Sequence, residues 1–354
     1  MKILIYGANG YTGKLIIKKA ILQSLNIVIS GRNKKEISKL ADKNNLNYFT
    51  STPKELQKNF QLLEKFDLLL NCAGPFSKTA KPIIKACLSS KTHYLDITGE
   101  IDIFRLGKSF DNKAKDSNII ICPGVGFDVI PTDCLAAALS KKLPDADELI
   151  LGFESTAKKI SPGTMATSIE SLGYGGKIRK NGKITSVPLA YKTKKIDFGN
   201  GIKTMVTIPW GDVATAYYST GIPNITVFTP RTQKGIDKIK RQRKWLFIMK
   251  LGIVQNFIKN KLDKKIVNGG DSDEKRAQSK MWVWAEVKNN SGQLYSGKFQ
   301  VANGYDVTGF GAMAVAKYLL EKELAGGYYT PSKLMGPDIL DSLPGFSGIE
   351  YSNN

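Results

Sequence analysis

Histidine and cysteine are scarce in this chain of 354 residues. Its one histidine is His93, and its four cysteines show no CxxC spacing: they are Cys72, Cys87, Cys122 and Cys134. A metal site built from several histidines is therefore excluded, and neither zinc chemistry nor any other metal site is expected. The cysteines are expected to be reduced thiols, most of them in the core of the N-terminal part of the chain.

The N-terminus shows no secretory signal. Met1 and Lys2 run directly into an apolar segment, without a basic region, a longer apolar stretch and a small-residue cleavage site. A cytoplasmic protein is expected. With 42% hydrophobic residues, the chain can bury a substantial core, and its length favours two domains or one large one.

Positive charge is in large excess, since Lys and Arg outnumber Asp and Glu by 52 to 31, a formal net charge of +21. Such a field attracts phosphates, anionic lipid surfaces or acidic ligands. Nucleic acid is not expected as a partner, because the chain has no zinc-finger spacing, no RNP-type aromatic motif and no recognisable helix-turn-helix.

Strands and helices alternate through the first third of the chain. Apolar runs predict strands at 3–6, 27–29, a third ending at 49–52, then 67–71, 94–97 and 119–122, and helical spacing predicts helices at 14–23, 34–43, 78–88 and 101–115. This order predicts an α/β fold with a doubly wound parallel sheet, a Rossmann domain, over residues 1–132. Residues 133–354 are expected to form an α+β domain for substrate binding and dimerisation, with a tail that packs back on the first domain.

Three glycines follow the first strand, in the loop from Gly7 to Gly13. A dinucleotide-binding loop needs glycine at a tight turn, at the approach to the pyrophosphate and at the contact of helix with strand. The spacing is GxxGxxG rather than GxGxxG, but the loop ends a strand and opens a helix, whose N-terminus favours phosphate. The expected cofactor contacts are Gly7, Asn9, Gly10, Tyr11, Thr12 and Gly13.

The second predicted strand ends in Ser30-Gly31-Arg32-Asn33, where an NAD(H) enzyme would place an acidic residue. No carboxylate is expected at this place. Arg32 can pair with a 2′-phosphate, with Asn33 beside it, so NADP(H) is favoured over NAD(H). The alternative is that Arg32 is solvated as the first charge of a basic helix.

Several motifs together resemble the saccharopine dehydrogenase-like family, which includes trans-acting enoyl reductases. They are Gly7 to Gly13, Ser30 to Asn33, Asn71 to Phe76, His93 to Glu100, Pro123 to Asp133, Ile208 to Asp212 and Gly304-Tyr305. The resemblance implies a reductase fold with an NADP-type domain, and cofactor contacts from Ala73, Gly74, Pro75 and Phe76. The third strand departs from the pattern, because it has no acidic residue near the adenine.

Four residues near the ends of the fifth and sixth strands are candidate proton donors: Tyr94, Asp96, Glu100 and Asp128. Each acid has a structural alternative. Asp96 can accept hydrogen bonds from backbone amides, Glu100 can cap the helix that follows it, and Asp128 can hold its own turn. Asp133 is expected to cap the next helix and not to be catalytic.

Residues 234–265 combine a basic flank with the apolar stretch Trp245 to Val254, which contains Lys250 and is too short to span a bilayer. One interpretation is a helix lying in the interface of an anionic membrane. The other is a buried helix or a dimer contact with a solvated basic flank.

Three functions are compatible with these features. The first is NADPH-dependent reduction of an activated C=C or C=N bond of a small, acyl or lipid-like molecule in the cleft between the domains. The second is saccharopine-type amino-acid dehydrogenation, with Arg179 or Arg231 as carboxylate anchors. The third is a non-catalytic NADP(H)-binding, membrane-associated sensor or scaffold. A homodimer is expected.

Overall fold

A computed structural model describes residues 2–157, 159, 161–165, 167, 174–243 and 270–353. The predicted α/β fold is confirmed. The N-terminal sheet contains β1 (Ile3–Tyr6), β2 (Ile27–Gly31), β3 (Asn47–Thr50), β4 (Leu68–Asn71), β5 (His93–Asp96) and β6 (Ile120–Cys122). Its helices are α1 (Tyr11–Leu22), α2 (Lys34–Asn44), α3 (Pro53–Lys58), α4 (Phe76–Ser90), α5 (Ile101–Ser109) and α6 (Asp111–Asp116), with a 3-10 turn at Phe60–Leu63.

Strands β1, β2, β4 and β6 are buried along their whole length, which is why their sequences are largely apolar, whereas the edge strand β3 is mostly exposed. In β1, Ile3 and Ile5 pack with the α1 side of the sheet, whereas Leu4 and Tyr6 pack with α4 on the other side. All the pairings are parallel. Every strand therefore presents its carboxyl end at the same edge.

The second sheet is mixed and mostly antiparallel. It contains β7 (Ala146–Ser155), β8 (Gly176–Lys180), β9 (Lys183–Val187), β10 (Thr193–Asp197), β11 (Ile202–Ile208), β12 (Asn224–Pro230), β13 (Lys280–Asn289), β14 (Leu294–Ala302) and β16 (Glu350–Asn353). The strand order is β10-β11-β12-β7-β13-β14-β16, with β8 beside β12 and β9 beside β8. Strands β12 and β7 pair in parallel.

The remaining helices lie in the second part of the chain. They are α7 (Ile130–Lys142), α8 (Asp212–Thr220), α9 (Gln233–Gln242), α10 (Asp273–Gln278), α11 (Gly304–Glu321) and α12 (Pro331–Met335), with a 3-10 turn at Pro337–Ser342. The expected boundary at residue 132 falls in the first turn of α7, which packs on β13, β7 and β14. The last third of the chain also returns to the first sheet. Helix α11 packs against α1, and β15 (Gly327–Tyr328) pairs with β6 as a seventh strand.

The basic segment is described only at its start. Helix α9 buries Ile236 against Ala190 and Val206, and its lysines face solvent. The apolar stretch from Trp245 to Val254 lies outside the described residues. Within the described ranges, no helix is long and apolar enough to cross a membrane.

Candidate active site

The carboxyl edge of the first sheet brings the predicted loops together. The strand order β15-β6-β5-β4-β1-β2-β3 reverses its direction between β1 and β4, and a crevice at such a reversal is where doubly wound sheets bind ligands. The loop Gly7 to Gly13 leaves β1 at this point and the loop Ala73 to Phe76 leaves β4 beside it. The two loops predicted to contact the cofactor are therefore neighbours.

Glycine is required in the first loop by close backbone contacts. Gly7 has a φ of +79°, and a Cβ atom there would lie 2.7 Å from the Ala73 amide nitrogen. A Cβ atom on Gly13 would lie 2.6 Å from the carbonyl oxygen of Gly7. The amides of Gly7 and Ala8 both donate to the Ser30 carbonyl, at 2.9 and 3.2 Å, which ties the loop to β2.

The start of α1 fits a pyrophosphate. Gly10 is exposed and is the N-cap of the helix, no side chain among the described residues caps its amides, and its first turn has no acidic residue. The positive end of the helix dipole is thus left open to an anion. Backbone amides between Asn9 and Gly13 would hold the two phosphates of a dinucleotide.

Tyr11 connects this loop to the second domain. Its hydroxyl donates to the Asp271 carbonyl at 2.8 Å and accepts from Arg276 Nη1 at 3.2 Å, and its ring packs edge-on against Tyr305 with centroids 5.0 Å apart. The buried Arg276 also bonds Asp273 Oδ1 at 2.8 Å and Asp306 Oδ1 at 3.4 Å. Residues far apart in sequence therefore fix the side chain that follows Gly10.

The loop after β2 holds a carboxylate that the sequence analysis missed. Arg32 is exposed, and Asn33 caps α2 by accepting from the Glu36 amide at 3.3 Å. The Glu36 carboxylate in turn accepts from Asn9 Nδ2 at 2.6 Å and from Asn33 Nδ2 at 3.0 Å. The expectation that no carboxylate lies here is wrong, because the first turn of α2 brings Glu36 back over the end of β2.

Glu100 has a structural role at the loop after β4. Its two carboxylate oxygens accept from the amides of Phe76 and Ser77, at 2.8 and 3.0 Å, so it caps α4. The expectation that Glu100 caps α5 is wrong, since Glu100 is the N-cap residue of that helix but its side chain makes no capping hydrogen bond there. Through this contact Glu100 fixes the end of the Ala73 to Phe76 loop, whose Gly74-Pro75 bond is cis.

Asp96 and Tyr94 form a buried pair beneath the loops. Asp96 accepts from Tyr94 Oη at 2.7 Å and from the amides of Thr98 and Gly124 at 3.0 and 2.9 Å. Burial raises the pKa of Asp96 to about 6, against these three hydrogen bonds. Both side chains are fully buried. The structure thus shows the alternative in which Asp96 accepts hydrogen bonds from backbone amides. Neither Asp96 nor Tyr94 presents a proton to the crevice.

Asp128 is different, because its carboxylate accepts no hydrogen bond from the described part of the chain. It is partly exposed and packs on Gly99, where a Cβ atom would lie 2.7 Å from Asp128 Oδ2. Burial raises its pKa to about 7. The hydrogen bond by which Asp128 could hold its own turn is not formed. Unlike Asp96 and Glu100, its carboxylate therefore accepts no hydrogen bond from a backbone amide among the described residues.

A cluster of aromatic side chains packs next to the Asp128 backbone. Trp210 Nε1 donates to the Asp128 carbonyl at 2.8 Å, Trp210 packs on Phe153 with centroids 4.6 Å apart, and Phe153 packs on Phe127 at 5.8 Å. Trp210 lies in a motif noted in the sequence, but Phe153 could not be identified there, since its strand has no distinguishing pattern. Phe127 and Phe153 are buried in the core, whereas Trp210 is partly exposed, so Trp210 is the aromatic side chain of this group that an organic substrate could reach.

The one histidine and the two arginines named as carboxylate anchors lie elsewhere or are occupied. His93 is at the amino end of β5, opposite this edge, and its Nδ1 accepts from the Ile120 amide at 3.0 Å. Arg179 is buried and donates to the carbonyls of Val213 and Gly182, at 2.8 and 2.6 Å. Arg231 is exposed at the end of β12. The arginine anchors of the amino-acid dehydrogenase hypothesis gain no support.

Comparison with known proteins confirms the resemblance. Residues 3–121 match the family model of the saccharopine dehydrogenase NADP binding domain. A probable mitochondrial saccharopine dehydrogenase-like oxidoreductase of Arabidopsis thaliana is 28% identical over 205 residues, which cover 50% of this chain and 44% of the relative. A trans-acting enoyl reductase of Mycobacterium bovis is 26% identical over 189 residues, covering 48% of this chain and 44% of the relative.

A solved structure matches over the full chain. Saccharopine dehydrogenase (L-Glu forming) from Saccharomyces cerevisiae superposes with a TM-score of 0.67 at 11% identity, covering 100% of this chain and 99% of that one. At this identity the match establishes the fold. The alignments with the curated relatives span somewhat under half of those proteins' lengths. Residues 3–121 are thus similar to saccharopine dehydrogenase NADP binding domains, while the cytoplasmic location and the homodimer stay predictions.

Proposed function

We propose that this saccharopine dehydrogenase-like chain is an NADPH-dependent reductase of an activated C=C bond conjugated to a carbonyl, in a small acyl or lipid-like molecule. NADPH, when bound, supplies the hydride. The loop Gly7 to Gly13 and the amino end of α1 would hold its pyrophosphate, Arg32 its 2′-phosphate, and the loop Ala73 to Phe76 would contact it at the β4 end. The protein's further task is to orient the substrate and to supply one proton.

The Asp128 carboxyl carries this proposal. Addition of hydride to the β-carbon of an enoyl group leaves an enolate, which must be protonated at the α-carbon. A donor is most effective when its pKa lies near the working pH, and burial raises the pKa of Asp128 to about 7. Its partial exposure and lack of a hydrogen-bond partner in the described ranges leave it free to act, whereas Asp96 and Glu100 are engaged.

The amine route of saccharopine-type enzymes is the weaker alternative. Such a substrate carries several carboxylates and needs cationic anchors beside the reacting atoms. Arg179 donates to two backbone carbonyls, and Arg231 lies exposed at a strand end. The partly exposed Trp210 beside Asp128 suits an apolar group better. One matched relative is named as a trans-acting enoyl reductase, which supports the same choice.

The test is a substrate panel with the purified chain and NADPH. A 2-enoyl thioester is compared with an oxo acid plus an amino acid, following NADPH consumption and identifying products by mass spectrometry. In heavy water, the enoyl product should gain one deuterium at the α-carbon. Binding of NADPH without consumption with any substrate would instead favour the non-catalytic sensor, and consumption with the amine-forming pair alone would favour the dehydrogenase.

A further inference from the structure

The two loops at the adenosine end of the site are joined by one carboxylate. Glu36 Oε2 accepts from Asn9 Nδ2 at 2.6 Å, and Glu36 Oε1 accepts from Asn33 Nδ2 at 3.0 Å. Asn9 belongs to the loop after β1 and Asn33 to the loop after β2. In a doubly wound sheet the pyrophosphate lies over the first of these loops and the adenosine ribose over the second. Glu36 therefore joins the two loops at the place where the adenosine ribose would lie.

This carboxylate is placed to meet a ligand. Glu36, Arg32 and Asn33 are all exposed, so no other element shields them from solvent. The Asn9 carboxamide lies against Gly31, where a Cβ atom would be 3.1 Å from Asn9 Oδ1, which fixes one end of the bridge at the strand end. The other end is fixed because Asn33 also caps α2 through the Glu36 amide. The negative charge is thus held in one position.

Its charge is not cancelled by the cations beside it. Among the described residues, Glu36 forms no ion pair with Arg32, Lys34 or Lys35, although all three are exposed within the same short segment. Arg32 and Glu36 therefore act on an incoming nucleotide separately. A carboxylate accepts the hydrogens of a free ribose 2′-hydroxyl and repels a 2′-phosphate, whereas a guanidinium pairs with the phosphate.

We infer that Glu36 is the residue that sets the choice between NADPH and NADH in this chain. The inference rests on the proposed cofactor role. Arg32 favours the 2′-phosphate and Glu36 favours the free hydroxyl, so Glu36 narrows the preference for NADPH that Arg32 creates. Neutralising Glu36 widens that preference.

Glu36→Gln is the informative variant, because the amide keeps an acceptor for one asparagine and removes the charge. We expect NADPH to bind about threefold to fivefold tighter, the size of one exposed charge interaction, and NADH to bind weaker by a similar factor. Glu55→Gln is the matched control. Glu55 occupies the same place in the first turn of α3, where its carboxylate accepts from the Thr52 amide at 2.7 Å, and its change should leave both affinities unaltered.

Titration calorimetry at fixed salt measures both dinucleotides and two fragments, adenosine 2′,5′-bisphosphate and 5′-ADP. The gain in Glu36→Gln should follow the 2′-phosphate, so it should be seen with NADPH and the bisphosphate and not with NADH or 5′-ADP. Equal changes for all four ligands, no change, or the same gain in Glu55→Gln would overturn the inference while leaving the proposed function in place. Failure of the unaltered chain to bind either dinucleotide would overturn both.

Discussion

The hydroxyl of Tyr94 donates a 2.7 Å hydrogen bond to the carboxylate of Asp96, and both side chains are fully buried on one face of β5. Residues two apart on a strand point to the same side, so the pair follows directly from the sequence once the strand is known. Asp96 Oδ1 also binds the amides of Thr98 and Gly124, and thereby joins the ends of β5 and β6. The pair supports the floor of the site rather than its chemistry.

Tyr94→Phe should therefore destabilise the fold by about 1–3 kcal/mol above pH 6, because it leaves a buried carboxylate oxygen without its donor. The pKa of Asp96 is raised from 3.8 to about 6 in the folded state, so the folded protein holds this proton more tightly than the unfolded chain does. The stability that comes from this tighter proton binding is lost as the pH rises from 3.8 to about 6. The loss in the variant should be smaller at about pH 4.5 than at about pH 7.5. Urea unfolding at both pH values measures it.

Tyr48→Phe is the control for this change, since Tyr48 is 40% exposed on β3 and its hydroxyl has no hydrogen-bond partner among the described residues. Its free energy of unfolding should match the unaltered chain at both pH values. A Tyr94→Phe loss that does not vary with pH would mean that the bond to Asp96 contributes nothing electrostatic.

Asp128→Asn should lower turnover strongly and stabilise the protein at the same time. Loss of a general acid costs about 10²–10⁴-fold in kcat. The pKa of Asp128 is raised from 3.8 to about 7 by burial, so above that pH the folded state holds an unfavourable charge. The variant lacks this charge and should gain on the order of 2 kcal/mol at about pH 8.

In the unaltered enzyme, kcat/KM should fall about tenfold per pH unit above about pH 7, as Asp128 loses its proton. Steady-state assays and thermal unfolding on the same samples test both effects. Asp102→Asn, which alters an exposed acid on α5, should change neither. Full activity in Asp128→Asn would exclude this residue as the proton donor.

Glu100→Gln should weaken the capping of α4 and lower stability by about 1–2 kcal/mol. In the unaltered chain the two carboxylate oxygens accept from the amides of Phe76 and Ser77, and the amide side chain of glutamine has one acceptor oxygen and no charge. NADPH affinity should fall with it, since the same contact fixes the Ala73 to Phe76 loop. Calorimetry and urea unfolding give the two quantities. Glu323→Gln, at an exposed position after α11, should leave both unchanged. Lost stability with unaltered NADPH affinity would separate this loop from the cofactor.

The parallel sheet could be predicted because its information is local. Strands such as Ile3–Tyr6 and Leu68–Asn71 are buried at every position and begin with three apolar residues, and Gly7 follows the first of them where a φ of +79° is needed. The seventh strand could not be predicted, because Gly327–Tyr328 is too short for a pattern and forms only by pairing with β6. Its existence depends on the path of the whole second domain.

The helices that the acidic side chains cap could not be predicted from the sequence either. Sequence assigns a carboxylate to the helix that follows it, yet Glu100 caps the preceding α4. Asp133, expected to cap α7, instead accepts from Ser219 Oγ at 2.6 Å and from the Ser332 amide at 3.3 Å, at the start of α12. Glu36 was missed for the same reason. Each contact is decided by which elements the fold brings together, and spacing along the chain does not contain that information.

The exposed face of α9 should bind anionic membranes if the first interpretation of residues 234–265 is correct. Lys234, Lys238 and Arg241 are exposed on this helix, while Ile236 is buried on the other side. Each basic residue near an anionic surface contributes about 1 kcal/mol, so changing all three to Gln should lower partitioning onto phosphatidylserine vesicles by about a hundredfold. Vesicle co-sedimentation at low and high salt measures this.

Changing Lys81, Lys85 and Lys91 around α4 removes the same charge elsewhere and should have little effect. Equal losses in the two triple variants would show that the net charge of +21, and not this helix, attracts the lipid. No binding by the unaltered chain, together with a dimer that dissociates in the α9 variant, would favour the dimer contact instead.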